Sequence, residues 1–279
     1  MIEELVLESF LAEINALKPG NVSKYAAGHG MSYDDFSTSA RLVTPILCDR
    51  GLGPGKRILR SVEVTMESVG CNTNLGMLLL FSPVIKAYES MNKVDSLRSS
   101  ISITLQQLGR QDTEDVYRAI YLANPGGLGE IEDNDVRFSP DIKLLEAMEQ
   151  SAGFDMVARQ YVSGFADVYE PGIMCLDEFA NRWNSVEWGT VACYLSLMAA
   201  YPDSHIWRKS GEAVAREVQG RAETVLEQYT KYKNPAGAKS LLLEFDRELK
   251  DSNLNPGTSA DLTAACLLIR GINASGDRA

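Results

Sequence analysis

The sequence predicts an all-α protein, and three observations carry that prediction. Apolar residues recur at helical spacing, as in Ile2, Val6, Phe10 and Ile14, with Glu3, Glu4, Glu8 and Glu13 mostly on other faces. Only SISIT at 100–104 alternates as a strand would, and LQQLGR follows it without a hairpin signal. No strands separate the helical stretches, as an α/β chain would require.

After the first segment, helices are expected roughly over 33–49, 55–68, 76–90, 94–108, 112–122, 140–150, 152–168, 174–183, 186–200, 203–231, 236–251 and 259–272. No repeat of 20–50 residues and no low-complexity linker divides the 279 residues. The glycine-containing stretch 124–139 reads as a long functional loop between helices. The expectation is a single domain over 1–279, a multi-helix bundle whose polar loops form the active site.

Composition narrows the function. Hydrophobic residues make up 45% and charged residues 23%, an ordinary globular balance. No apolar run reaches the roughly 18 residues of a membrane span, and the acidic MIEELVLESF lacks the basic region of a signal peptide. A cytoplasmic protein is expected. The net charge of −11 repels nucleic acid and anionic lipid, leaving small molecules as the expected partners and a homo-oligomer open. Small phosphorylated ligands need only a local positive site, which helix N-termini supply. Five scattered cysteines without CxxC spacing support neither a disulfide scaffold nor a thiolate zinc site. Two histidines exclude a histidine-rich metal site, and a carboxylate-held Mg²⁺ stays open.

Four loops carry more polarity than connectors need. In LKPGNVSKYAAGHGM (17–31), Pro19 and Gly20 end the first helix, and the loop presents Lys18, Asn21, Ser23, Lys24 and His29. The lysines suit phosphate, and His29 suits proton transfer or phosphate contact. Ser32, with Asp35 three residues on, is a candidate cap for the next helix. In GCNTNLG (70–76), Asn72, Thr73 and Asn74 enter the apolar run MLLLF, a helix start able to hold an anion or a base. In NPGGLG (124–129), Gly126, Gly127 and Gly129 permit close backbone approach, without a dinucleotide fingerprint. In NLNPGTSAD (253–261), Thr258 or Ser259 is a natural N-cap and Asp261 falls in the first turn. Capping explains Asp261; a Mg²⁺–phosphate contact is the alternative.

GLGPGK (51–56) imitates a Walker A loop, but Arg50 and Arg57 stand where that motif needs glycine and a hydroxyl. It reads as a turn with a capping lysine. Glu63, one or two turns before GCNTN, is either surface charge or aimed at that loop. Arg159, Gln160 and Asp167 read as a solvated helix face, and Trp183, Trp188 and Trp207 as core or interface.

The KPG loop, GHGM, GCNTNLG, PGGLG and NPGTSAD, in this order and spacing, resemble the triphosphoribosyl-dephospho-CoA synthase family over most of the chain, most strongly in 13–76 and 253–268. The resemblance implies an all-α enzyme that takes ATP and dephospho-CoA. Such an enzyme displaces adenine and joins the triphosphorylated ribose to a hydroxyl of the second nucleotide, making a prosthetic-group precursor. By motif position it carries over Glu13, Lys18, Pro19, Gly20, His29, Glu63, Asn72, Thr73, Gly76, Pro256, Gly257, Ser259 and Asp261. Two departures stand out. Asn74 and Leu75 replace the family's His-Lys after Asn-Thr, and Gly30 replaces an aspartate that Asp34 or Asp35 would have to supply. The NTNLG form resembles a divergent branch of archaea and methylotrophic bacteria, associated with one-carbon carriers of the tetrahydromethanopterin type.

The resulting expectation is a Mg²⁺-dependent transferase in coenzyme biosynthesis with ATP as a substrate. His29, Glu63 and Asp261 are its catalytic candidates, with Glu63 and Asp261 also on the metal. Lys18, Gly20, Asn21, Ser23, Lys24, Asn72, Thr73, Asn74, Gly76, Gly126, Gly127, Gly257 and Ser259 are its substrate contacts. The alternative is a non-catalytic nucleotide-binding or regulatory protein on the same scaffold.

Overall fold

A computed structural model describes residues 2–92, 94–125 and 141–276. Among them the chain is helical without a strand, as the periodicity requires. Fourteen α-helices follow in order: α1 Ile2–Asn15, α2 Tyr33–Leu47, α3 Pro54–Val69, α4 Leu75–Ser90, α5 Leu97–Gln107, α6 Arg110–Ala123, α7 Leu144–Ser151, α8 Met156–Ser163, α9 Met174–Trp183, α10 Val186–Ala200, α11 Ser204–Ser210, α12 Glu212–Thr230, α13 Lys239–Asp251 and α14 Gly257–Gly276. A π-turn at Val168–Ile173 and a 3₁₀ turn at Pro235–Ala238 complete the list. The contacts gather into two compact units, each assembled from separated segments. Unit one is Met1–Glu8, Ser37–Ala166 and Leu268–Ala279; unit two is Ser9–Phe36 and Asp167–Leu267.

In unit one, α4 is buried on almost every side from Leu75 to Ile85, which explains its near-continuous apolar run. The GLGPGK stretch is a helix start. Gly53 is the N-cap of α3, Pro54 sits at N1, and the Gly55 N–H donates to Asp112 Oδ1 at 2.9 Å. A β-carbon on Gly55 would stand 2.6 Å from Asp112 Cα, so glycine sets how closely α3 approaches α6. Lys56 does not cap; it lies 3.7 Å from Asp115. SISIT belongs to α5: the Ser96 hydroxyl accepts the Ser99 N–H, and Leu97, Ile101, Thr104 and Leu105 form its buried stripe. Helical spacing of the larger apolar groups overrides the local alternation.

In unit two, α10 is the central helix, buried from Gly189 to Met198. Val191, Tyr194, Leu195 and Met198 pack with Phe179, Val218, Val225, Tyr229, Leu242, Phe245 and Leu249. Trp183, Trp188 and Trp207 lie partly buried against this core. The single helix expected over 203–231 divides at Gly211, whose φ of +92° leaves the helical region. Nor are all of Arg159, Gln160 and Asp167 solvated. Arg159 is exposed, but Gln160 and Asp167 are buried, and Asp167 Oδ1 accepts the Tyr201 hydroxyl at 2.7 Å. Seven-residue spacing marks a face without saying whether water or protein covers it.

Candidate active site

In unit two the first and last of the predicted loops meet. Lys18-Pro19-Gly20-Asn21 is a type II turn: the Asn21 N–H donates to Lys18 O at 3.0 Å, proline fills the second position, and Gly20 has φ +80°. A β-carbon on Gly20 would lie 2.7 Å from Leu249 Cδ1 and 2.8 Å from Pro256 Cδ, so both conformation and packing demand glycine. The Gly20 N–H donates to Asp246 Oδ1 at 2.9 Å, and the Asn21 amide donates to Asn255 Oδ1 at 2.8 Å, residues more than 220 positions apart. Tyr194 donates its hydroxyl to Pro19 O at 2.7 Å from α10. Lys250 pairs with Asp246 at 2.9 Å, and its stem lies along Gly28.

Lys18 does not present its charge to solvent. Its side chain is fully buried, paired with Glu13, and its ammonium donates to Asn21 Oδ1 at 2.7 Å and Val22 O at 2.8 Å. One ion pair and two hydrogen bonds thus take up the ammonium within the protein. Burial pushes the Lys18 pKa down and the Glu13 pKa up, each opposed by its partner. In this structure Lys18, expected as a phosphate contact, holds the turn. Lys24 is exposed and bonded to Glu187 at 2.8 Å, which also accepts the Tyr25 hydroxyl at 2.9 Å. Ser23 is buried, its N–H on Ala26 O and its hydroxyl accepting the Tyr25 N–H. His29 has φ +56° and its Nε2 lies 2.8 Å from Gly20 O. Ser32 and Asp35 form the expected reciprocal cap, with Ser32 N–H to Asp35 Oδ2 at 2.7 Å and Asp35 N–H to Ser32 Oγ at 3.3 Å.

Helix α14 begins at Gly257, so Thr258 and Ser259 lie inside its first turn and neither is the N-cap. Asp203 does the capping from a distance: Oδ2 accepts the Ser259 N–H at 2.7 Å and its hydroxyl at 2.8 Å, while Oδ1 caps α11. Asp261 is half-buried and close enough to Lys18 to favour its charged form.

In unit one, the loop between α3 and α4 closes at Gly70, with φ +76°. The first turn of α4 is capped by Asn72, whose Oδ1 accepts the Leu75 N–H at 3.1 Å. Thr73 donates to Ser39 Oγ at 2.8 Å, tying the loop to α2. Asn74 occupies the N-cap position, yet its side chain makes no capping bond, and its buried Nδ2 has no partner among the described residues. Gly76 is half-buried in the first turn of α4. Glu63 is partly exposed and bonded to Arg60 at 3.0 Å. Gly126 and Gly127 fall outside the described residues.

The predicted residues thus divide between the units: Lys18, Gly20, Asn21, Ser23, Lys24, His29, Gly257, Ser259 and Asp261 in unit two, and Glu63, Asn72, Thr73, Asn74 and Gly76 in unit one. Sequence reasoning missed Asp203, Asp246 and Asn255. Asp203 in YPDSH had a visible helix-cap signal, and Asp246 with Lys250 an i,i+4 pair, but their bonds to distant loops had none. Among the described residues no three or more His, Cys, Asp or Glu side chains cluster as a ready metal cage.

The fold is all-helical, with glycine-dependent turns bonded against a helix start. The chain belongs to the ATP:dephospho-CoA triphosphoribosyl transferase family (CitG), whose model matches residues 1–278. It is accordingly a transferase of coenzyme or prosthetic-group biosynthesis. A solved structure from Archaeoglobus fulgidus, described as a candidate triphosphoribosyl-dephospho-CoA synthase, shares the fold. The two are 24% identical with a TM-score of 0.64, over 83% of this chain and 96% of that one. No helix among the described residues is long and apolar enough to cross a membrane.

Proposed function

We propose that this transferase moves a triphosphorylated ribose from ATP to a hydroxyl of dephospho-CoA or a related nucleotide. The observation that carries the proposal is the joining of the KPGN turn to the NPGT helix start through Gly20–Asp246 and Asn21–Asn255. Such bonding fixes backbone dipoles before substrate arrives, which is what stabilises charge developing on a ribose. In this reading Glu13, Lys18 and Asp246 hold the turn, while Gly20, Asn21, Ser23, Gly257 and Ser259 form its substrate-facing backbone. Lys24 is a phosphate contact and His29 the acid–base group. Asn72, Thr73, Asn74 and Gly76 orient substrate at the start of α4.

Mg²⁺ commonly takes one or two carboxylates together with phosphate oxygens and water, which suits Asp261 and Glu63 as separate candidate ligands better than a protein cage. When bound, it would neutralise triphosphate charge. The NTNLG form supports a link to tetrahydromethanopterin-type one-carbon carrier metabolism in the cytoplasm, and the alternation of the units' segments along the chain supports treating them as one domain.

Incubating the protein with ATP, Mg²⁺ and dephospho-CoA tests the proposal by adenine release and product mass. Equimolar adenine and a ribosylated acceptor are expected; release of phosphate or AMP instead would overturn it. The second reading, a binding protein without catalysis, is favoured by Asn74 and Leu75 standing in place of His-Lys. It predicts calorimetric ATP binding with no release of adenine from ATP, whichever nucleotide acceptor is added.

A further inference from the structure

His205 has no part in the reading above, yet its surroundings are built around it. Asp203 Oδ1 accepts the N–H groups of His205 at 2.9 Å and Ile206 at 3.2 Å, while Oδ2 holds Ser259. One buried carboxylate therefore fixes both the backbone beneath the imidazole and the first turn of α14. The ring stands against Gly257, where a β-carbon would come within 2.5 Å of Nδ1. Glycine in the NPG motif thus makes room for this ring. Its other nitrogen, Nε2, is withdrawn from solvent and has no hydrogen-bond partner among the described residues.

A side chain kept only to fill space would be better served by an apolar ring, because an unmet buried nitrogen is a net cost. The ring is also neutral at physiological pH. Burial, then Lys209, Arg208 and His29, push its pKa down to about 3. A charged imidazole would suit a phosphate; a neutral one, donor on one nitrogen and acceptor on the other, suits a hydroxyl, which is both as well.

We propose that His205 Nε2 is a substrate contact that hydrogen-bonds a ribose hydroxyl of the nucleotide seated at the start of α14. This rests on the reading that a nucleotide occupies the KPG–NPG loops, and it adds an uncharged orienting group opposite Gly257. The hydroxyl belongs to ATP or to the acceptor nucleotide. Because Nε2 is shielded in the ligand-free protein, the contact forms as surrounding side chains shift on binding.

The test compares wild type, His205→Phe and His205→Gln, whose amide nitrogen reaches about as far as Nε2. Each nucleotide is titrated separately by calorimetry, and kcat and KM are measured for adenine release. His205→Phe is expected to weaken one nucleotide about tenfold at an unlowered melting temperature, while His205→Gln stays within about threefold. Loss confined to ATP assigns the donor ribose, and loss confined to dephospho-CoA the acceptor ribose. With 2′-deoxyATP or 3′-deoxyATP in the ATP arm, the gap between wild type and His205→Phe should close for the analogue lacking the contacted hydroxyl. Unchanged binding of both nucleotides by His205→Phe, with wild type releasing adenine, overturns the inference and leaves the proposed function standing. Wild type binding neither nucleotide overturns both. Should His205→Phe fail to fold, the wild-type His205 imidazole resonances decide: they must move when nucleotide is added, and static resonances overturn the contact.

Discussion

The two loop systems that carry the family's motif residues are completed to different degrees within the protein. In unit two, the Lys18 ammonium meets Glu13, Asn21 and Val22, the Gly20 N–H meets Asp246, and the Asn21 amide meets Asn255. In unit one, Asn72 and Thr73 have internal partners, but Asn74 buries an amide nitrogen that has none. A turn whose backbone and amide groups are bonded in this way holds its shape without ligand. A buried donor left unmet lowers stability until something accepts from it. The first arrangement preorganises backbone dipoles; the second keeps a hydrogen bond in reserve.

The largest expected effect breaks the first arrangement. Lys18→Met leaves Glu13 buried opposite an apolar chain and should cost about 3–5 kcal/mol in denaturant unfolding. Adding Glu13→Gln should recover a substantial part of that loss, because the uncompensated charge is gone. A loss below about 1 kcal/mol in the single variant would mean that the pair does not hold the turn.

Next comes the turn itself. Gly20→Ala meets both a positive φ and a β-carbon within 3 Å of Leu249 and Pro256. Gly70→Ala meets a similar φ, +76°, with nothing within 4 Å. The second should cost about 1–2 kcal/mol from backbone alone, and the first should add about 1–3 kcal/mol of overpacking. Equal melting temperatures for the two variants would show that Leu249 and Pro256 yield freely.

These contrasts also explain what was legible in the sequence. Helical periodicity gave α3, α4, α9 and α10 nearly to the residue, because each buries apolar residues at helical spacing. Pro19-Gly20 was legible as a chain reversal because type II geometry is written in those two residue types. Lys18 was misread. A lysine beside glycine looks like a phosphate ligand, and nothing local reveals that Glu13, one turn and a bend earlier, is buried with it. Gly211 was missed because a glycine within a helical pattern is often tolerated, and its φ of +92° becomes clear only in the structure. Asp203 and Asp246 were missed for a different reason. Asp203 caps its own helix and Asp246 pairs with Lys250 within its own, and neither local role reveals the bond to a residue 56 or 226 positions away.

The third effect sharpens the comparison by separating stability from function. Asn74→Leu removes an amide nitrogen that has no partner and adds apolar volume at the start of α4. Stability should hold or rise by up to about 1 kcal/mol, since no internal bond of that nitrogen is lost. Adenine release, or ATP affinity, should fall at least about tenfold if the amide meets substrate. A variant both less stable and fully active would reverse the assignment.

The smallest effect concerns Lys24, the exposed counterpart of Lys18. Its ammonium sits 2.8 Å from Glu187 and 5.0 Å from the Tyr25 ring centre, with 37% of the side chain exposed. Such a pair is screened by water and salt, so Lys24→Ala should change unfolding free energy by less than about 1 kcal/mol. Its proposed role is contact with phosphate, which is a different quantity. A lysine that leaves Glu187 for a triphosphate gives binding a salt-dependent component, because the charge it meets is itself screened. Lys24→Ala should therefore weaken ATP binding at low ionic strength and reduce the slope of affinity against salt. Calorimetry at two salt concentrations reads both changes. Identical slopes in wild type and variant would leave Lys24 as a partner of Glu187 and Tyr25 alone, and the phosphate contact would have to come from backbone at the start of α14 or from Lys250.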